Sequence, residues 1–196
     1  MKYSTIKQMF DYVFAILLLV LLLPILILIS MVIKLDTKGP IFYKAIRIGC
    51  DQKQFGIYKF RTMIVDADQL YQGTMQKDKR ITRSGKWMRK LSLDELPQLY
   101  NVLMGEMSFI GPRPHRTDLD ERFRKEFDNY SKRYAVLPGI SGLAQIKGWR
   151  GPTETVVQRE MRVHFDTVYS RNRSFTLDLY ILTMTIISAK SLKAAY

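Results

Sequence analysis

Asp94 and Glu95 are adjacent carboxylates in the segment 91–114, LSLDELPQLYNVLMGEMSFIGPRP. The segment closes on one guanidinium, Arg113, stiffened between Pro112 and Pro114. An ionised carboxylate held by backbone donors can serve as a nucleophile or as a metal ligand. Arg80, Arg83, Lys86, Arg89 and Lys90 form a basic run directly before the two acids. Lys59 and Arg61 alternate with aromatic residues in Tyr58-Lys59-Phe60-Arg61. Cations concentrated beside an acid can be a solvated face or a phosphate cradle next to a catalytic acid; Lys59 and Arg61 could bind phosphate or form the outer face of a strand. Asp66 and Asp68 form a D-x-D that could hold a divalent metal, but its loosely patterned surroundings favour solvated surface. His115 and His164 do not form a zinc-ligand cluster, and the chain has neither a Walker A nor a GxGxxG sequence.

Periodicity sets the elements that must position these groups. Ser92 with Glu95 three residues later is a capping-box pattern, and Leu93, Leu96, Leu99, Tyr100, Leu103 and Met104 recur at helical spacing. Pro97 fits the first turn of that helix if Asp94 is the N-cap, and costs a hydrogen bond if Ser92 is. Either register puts both acids near the positive end of the helix dipole. On this stretch alone the commoner fate, Asp94 as a cap, is favoured. Residues 41–48 and 55–63 read as short strands joined near Gly49-Cys50-Asp51. Residues 65–83 are polar and weakly periodic, a candidate loop or lid. Residues 117–134 read as a charged helix of solvated or membrane-facing residues. Residues 137–142 form a turn-rich connector, and 145–152 a loop with cations and Trp149. Residues 154–169 predict an amphipathic helix with Val157, Met161, Phe165 and Val168 on one face. The apolar helix 177–187 is too short to span a bilayer and suits the core or the interface plane.

Residues 12–33 form a continuous apolar run interrupted by Pro24 and Ser30, long enough for a membrane helix. A plain span is the direct reading; Pro24 also permits a helix-break-helix that returns to the same side. Charge does not orient it, because Lys2 and Lys7 face Lys34, Lys38, Lys44 and Arg47 across the run. The net charge of +13 implies an anionic partner: nucleic acid, an acidic membrane surface or a phosphorylated substrate. Cys50 is the lone cysteine, which excludes an internal disulfide and suits a reducing compartment.

Taken together, YKFRTM, then RITRSGKWMRKLSLDELPQLYNVLMGEMSFIGPRP, then LPGISGLAQIKGWRG, and a tail with Asp166 and Asp178 resemble the bacterial sugar transferase family over nearly the whole chain. These are the monotopic phosphoglycosyl transferases that start polysaccharide and glycoconjugate assembly. The resemblance reverses the odds on Asp94. It implies transfer of a sugar phosphate from a UDP-sugar to polyprenyl (undecaprenyl) phosphate, with UMP released. Asp94 would be the nucleophile that forms a covalent phosphosugar intermediate. Glu95 would help hold Mg²⁺ or handle charge, and both acids are metal-ligand candidates. Lys59, Arg89 and Arg113 match basic positions of the family and would neutralise the diphosphate; Arg61 and Arg150 join them as substrate-binding candidates. Asp166 and Asp178 match acidic positions that would organise the cations or the metal. The resemblance also favours the hairpin, broken at Pro24, although Leu23 stands where many relatives have serine. Leu137 replaces a basic residue common before Pro-Gly, and Lys147 or Arg150 could take its place. The segment 148–155 looks like the branch that transfers glucose- or galactose-phosphate.

The expected fold is therefore α+β, predominantly helical with a small β element. Residues 1–35 would form a re-entrant membrane hairpin, and residues 36–196 a catalytic domain without the extra multi-span region of longer relatives. Interfacial helices would meet anionic lipid at the cytoplasmic face of a bacterial plasma membrane, with homodimerisation left open. Two other classes compete. A membrane-tethered nucleic-acid-binding protein would use the +13 charge, but no helix-turn-helix or RNP-type signature supports it. A non-catalytic scaffold would not need the Asp94-Glu95 pair.

Overall fold

The computed structural model describes residues 3–67, 78–151 and 153–187. Asp68 of the D-x-D, most of the candidate lid and Pro152 lie outside the described residues. Asp66 sits in a turn with φ of 63°.

The apolar run forms α1 (Tyr3–Asp36), helical without interruption through Pro24. The expected break is thus absent from the secondary structure. Proline removes one hydrogen bond, here to the Val20 carbonyl, while intact bonding on either side carries the helix through. The Ser30 hydroxyl donates to the Leu26 carbonyl at 2.7 Å, one turn back. The middle of α1 is bare, with Val20 and Leu21 70% and 72% exposed. Both flanks are gripped. Near the start, Lys7 pairs with Asp178 at 2.8 Å, and Asp11 accepts from the Phe109 amide at 3.4 Å. Near the end, Asp36 accepts from the Ser84 amide at 2.8 Å, while Ile29 and Ile33 pack against Phe60 and Met88.

β1 (Phe42–Ile48) and β2 (Gln54–Phe60) form the expected antiparallel hairpin, Tyr43 opposite Lys59. α2 (Arg83–Lys90) follows, its first turn capped by the Thr82 hydroxyl, which accepts from the Gly85 amide at 3.0 Å. α3 (Gln98–Leu103) lies between α1 and the hairpin. Asn101, wholly buried on α3, fixes that packing. It accepts from the Tyr58 amide at 3.0 Å and donates to the Gly56 carbonyl at 2.8 Å. Ala15, Ala45, Ile57, Val102 and Met107 close this core.

The second half is built around β3 (Ser108–Ile110), parallel to β4 (Gly139–Ser141). The connector read at 137–142 is thus partly a strand. The pair needs glycine: a Cβ on Gly139 would fall 2.1 Å from the Gly111 amide nitrogen. α4 (Thr117–Glu126) and a 3₁₀ segment (Tyr130–Ala135) replace the single helix expected at 117–134. That stretch is not simply solvated, because Phe123, Tyr130 and Arg133 are buried. α5 (Leu143–Ile146) is a single turn that overlaps the first two residues of the loop expected at 145–152. α6 (Val156–Asn172) opens with a capping box between Thr155 and Gln158. Its interior face differs from the apolar one expected. Arg159, Arg162, Val163 and Asp166 are buried, whereas Val157 is exposed. α7 (Phe175–Ile187) packs Ile181 into the core and leaves Phe175, Leu179, Ile186 and Ile187 exposed. The architecture is mainly helical with two small sheets, as expected from the sequence.

Candidate active site

Asp94 and Glu95 lie on a 3₁₀ turn (Leu93–Glu95) ahead of α3, not in a capped α-helical first turn. Pro97 explains the difference. Having no N–H, it cannot donate to the Leu93 carbonyl, which takes the Leu96 amide instead at 3.2 Å. The Glu95 amide likewise donates to the Ser92 carbonyl at 3.2 Å. Ser92 adopts φ of 55° and its side chain caps nothing, so no capping box forms. The tight turn places both acids against the hairpin, where each is 8% exposed.

Glu95 gathers three cations from three separate parts of the chain. Lys59 of β2 reaches Oε1 at 2.9 Å, Arg113 reaches Oε1 at 2.6 Å, and Arg150 reaches Oε2 at 3.0 Å. Burial would raise the Glu95 pKa, but Arg113, Lys59 and Arg150 overcome it and hold the carboxyl well below its ordinary range. Asp94 behaves oppositely. Burial raises its pKa, the charge of Glu95 adds to the rise, and Lys59, Arg89 and Arg113 only partly offset it. The Asp94 carboxylate makes no side-chain hydrogen bond or ion pair among the described residues. Neighbouring carboxylates thus differ in character. Glu95 is a fixed counter-ion, while Asp94 is a carboxylate of raised pKa whose oxygens meet no partner among the described residues.

The remaining candidates divide by position. Arg89 donates to the Thr62 hydroxyl at 2.8 Å and contributes its field to Asp94. Arg150 also approaches the Ser92 hydroxyl at 3.4 Å, whereas Lys147 leans toward Tyr180. Three residues are held elsewhere. Arg61 is buried and donates to the carbonyls of Pro40, Lys38 and Thr37 at 2.5, 3.0 and 3.0 Å, tying down the chain that leaves α1. Asp178 pairs with Lys7 at 2.8 Å and accepts from the Tyr169 hydroxyl at 2.7 Å. Asp166 is 2% exposed and faces Arg133 at 3.1 Å.

Arg133 and Arg162 went unnoticed in the sequence. Arg133 donates to the backbone carbonyl of Arg113, and Arg162 to the carbonyls of Trp149 and Gly151 at 2.9 and 2.5 Å. Nothing in the local pattern separates them from solvated arginines.

For a metal, the donor chemistry is two hard carboxylates. No group of three or more potential ligand residues occurs among the described residues. That set suits Mg²⁺, which takes one or two carboxylates and fills its shell with water and substrate phosphates. The uncommitted oxygens of Asp94 fit the role better than those of Glu95, which already meet three cations.

A carboxylate pair ringed by Lys59, Arg89, Arg113 and Arg150, on a body attached to a long apolar helix, belongs to a recognised class. The chain is a member of the bacterial sugar transferase family, whose model matches residues 2–191. It is 43% identical, over 97% of its own length, to the UDP-glucose:undecaprenyl-phosphate glucose-1-phosphate transferase of Klebsiella pneumoniae, covering 41% of that protein. The Escherichia coli (strain K12) protein of the same name is 42% identical, with 97% and 41% covered. The undecaprenyl-phosphate glucose phosphotransferase of Komagataeibacter xylinus is 42% identical, with 92% and 35% covered. The chain therefore spans less than half the length of these relatives.

Proposed function

We propose that this chain moves a hexose 1-phosphate from a UDP-sugar to polyprenyl phosphate through a covalent intermediate on Asp94. The observation that carries the reading is the division of labour in the pair: Asp94 uncommitted and basic, Glu95 holding Lys59, Arg113 and Arg150 in an arc beside it. An Asp94 oxygen attacks the sugar-bearing phosphorus. The bond from that phosphorus to the bridging oxygen breaks, and UMP leaves with that oxygen and its electron pair. An oxygen of polyprenyl phosphate then attacks the same phosphorus, giving the polyprenyl diphosphate sugar and restoring the Asp94 carboxylate.

Phosphoryl transfer asks chiefly for positioning and charge neutralisation. Lys59, Arg113 and Arg150 are already assembled by Glu95, so little reorganisation is needed when the diphosphate arrives. The raised pKa of Asp94 makes it a stronger nucleophile than a solvated carboxylate. Bound Mg²⁺, held by Asp94 with a share of Glu95, would supply further neutralisation of the diphosphate.

The grip on both flanks of α1 supports a re-entrant membrane element. From Lys7 to Asp36 a straight helix would rise about 43 Å, more than the roughly 30 Å of a bilayer's hydrocarbon. A straight span would carry these residues to opposite sides. Yet one folded body contacts both, through Asp178 and Phe109 at one flank and Ser84 at the other. The bare middle of α1, bent at Pro24, would enter one leaflet from the cytoplasmic side of the plasma membrane. The exposed face of α7 would lie beside it, its Phe175 ring 6.0 Å from that of Phe10. The lipid tail could then stay in the bilayer while its phosphate reaches Asp94. Product of this kind opens exopolysaccharide or glycoconjugate assembly.

The test is UMP release by the purified chain in nanodiscs with Mg²⁺, UDP-glucose and polyprenyl phosphate. Release with formation of a lipid-linked hexose is expected. Lack of release across UDP-glucose, UDP-galactose and their N-acetyl forms would favour a scaffold.

A further inference from the structure

One cation at the edge of the site has no counter-ion. Arg47 lies on β1, two residues beyond Ala45 and four beyond Tyr43, so the three side chains share a face. It is the face of the hairpin turned to the acids, since Tyr43 stands opposite Lys59 and Lys59 meets Glu95. The next residue, Ile48, donates its amide to the His115 carbonyl at 3.1 Å, which lays this end of β1 beside the segment bearing Arg113. The Arg47 side chain is half-buried, and its one hydrogen bond among the described residues runs from Nη1 to the adjoining Ile46 carbonyl at 2.7 Å. Asp118, the acid in its field, is already taken by Arg116 at 3.0 and 2.6 Å. Burial lowers the Arg47 pKa to about 10, and Arg113 adds more to the fall than any other charge. At neutral pH Arg47 is therefore a cation held against a second cation, in a place that favours an anion.

We infer that Arg47 and Arg113 form a phosphate-monoester subsite opposite Asp94, entered first by the phosphate of departing UMP and then by that of the lipid acceptor. Arg113 joins the two ends. It acts on Asp94 and Glu95 on one side and on Arg47 on the other, whereas Arg47 is not among the main charges on either acid. Arg47 thus lies beyond Arg113 as seen from Asp94. In-line displacement sets the leaving oxygen opposite the attacking one. With Asp94 attacking, UMP departs toward Arg47. The bond from the sugar-bearing phosphorus to the bridging oxygen breaks, that oxygen keeps the electron pair, and the UMP phosphate gains one negative charge. The acceptor must then attack the same phosphorus from the side opposite Asp94. An oxygen of its phosphate takes the position the bridging oxygen left, and the Asp94 oxygen departs with the electron pair. One subsite thereby serves both half-reactions. A guanidinium with no carboxylate to give up suits this exchange, because neither ligand must break an ion pair of Arg47 to enter. The subsite deepens the transferase reading and rests on it for the identity of the two phosphates.

The test uses the full chain in nanodiscs with Mg²⁺. Arg47→Gln should weaken UMP binding by about tenfold to a hundredfold, the scale of one charged hydrogen bond. Binding of uridine, which lacks the phosphate, should stay within about twofold of wild type. The KM for polyprenyl phosphate should rise by a factor similar to that for UMP. Unchanged UMP affinity, or an unchanged acceptor KM, would overturn the shared subsite. Equal weakening of UMP and uridine would show a distorted site and overturn it too. Because the variant removes a cation without a counter-ion, its Tm should hold or rise.

A second measurement needs no variant. Arginine modification by phenylglyoxal, read by peptide mass spectrometry, should be suppressed at Arg47 by saturating UMP and not by uridine. Undiminished modification under UMP would overturn the proposal even if Arg47→Gln fails to fold. A wild-type chain that neither binds UMP nor releases it from a UDP-sugar defeats the transferase reading and the subsite with it. A wild-type chain that does both, with Arg47→Gln its equal, defeats the subsite alone.

Discussion

At the residue scale, opposite pKa directions in adjacent acids give opposite predictions. The folded state raises the Asp94 pKa, chiefly by burial, so ionised Asp94 costs stability at neutral pH and the cost fades as pH falls through its folded pKa. Asp94→Asn should therefore abolish turnover while holding or raising Tm in a thermal melt. Burial also opposes Glu95 ionisation, but Arg113, Lys59 and Arg150 win and lower its pKa. Its stabilising contribution is present above the ordinary carboxylate range and is lost only as pH falls through the lowered folded value. Glu95→Gln should cost about 3–5 kcal/mol in a denaturant titration, because three partly buried cations lose their counter-ion. Removal of the Glu95 charge also favours ionised Asp94. Any residual turnover of Glu95→Gln should fall off at lower pH than wild type, and a limb that moved upward would contradict the coupling. Asp94, Glu95, Arg89 and Arg113 stand in one stretch of sequence, but the residues alone favoured Asp94 as a cap, and the inclusion of the distant Lys59 and Arg150 came from the family resemblance. Arg133 and Arg162 were not legible. A lone arginine in a polar stretch looks solvated until a distant carbonyl claims it.

At the element scale, Arg61 shows how a sequence motif can mislead about role. It sits two residues from Lys59, yet its guanidinium is consumed by carbonyls just after α1. Arg61→Gln should lose at least the ~1.5–3 kcal/mol of one charged hydrogen bond, seen as a lower Tm. The donor KM should stay within about twofold of wild type, and a large rise in KM would return Arg61 to the substrate site. The hairpin, α1 and α7 were readable because alternation and long apolar runs reflect burial that local sequence carries. The turn bearing the acids was misread. Ser92 and Glu95 have capping-box spacing, but Pro97 removes the donor that an α-helical turn would need, and the chain tightens to 3₁₀. The parallel β3–β4 pair also left no local trace, since it joins segments about thirty residues apart through glycines that permit close approach.

At the scale of the whole molecule, the body and its apolar helix form one unit gripped at two flanks. With Cys50 replaced by serine, Ile6→Cys and Lys38→Cys should both react with a membrane-impermeant maleimide from the cytoplasmic side, and neither from the opposite side. Labelling from opposite sides would establish a plain span. Sequence alone left span and hairpin open because Pro24 fits both, and the lysines flank both ends. The contacts of Lys7, Asp11 and Asp36 with one body are tertiary facts with no local signature. The proposed attack by Asp94 is tested most directly by intact-protein mass. Purified chain would be incubated with Mg²⁺ and a small panel of UDP-sugars, without lipid acceptor. A mass increase of one phosphohexosyl group with one donor, matched by released UMP and absent from Asp94→Asn, is expected. Turnover to lipid-linked sugar by Asp94→Asn at the wild-type rate would contradict the covalent route.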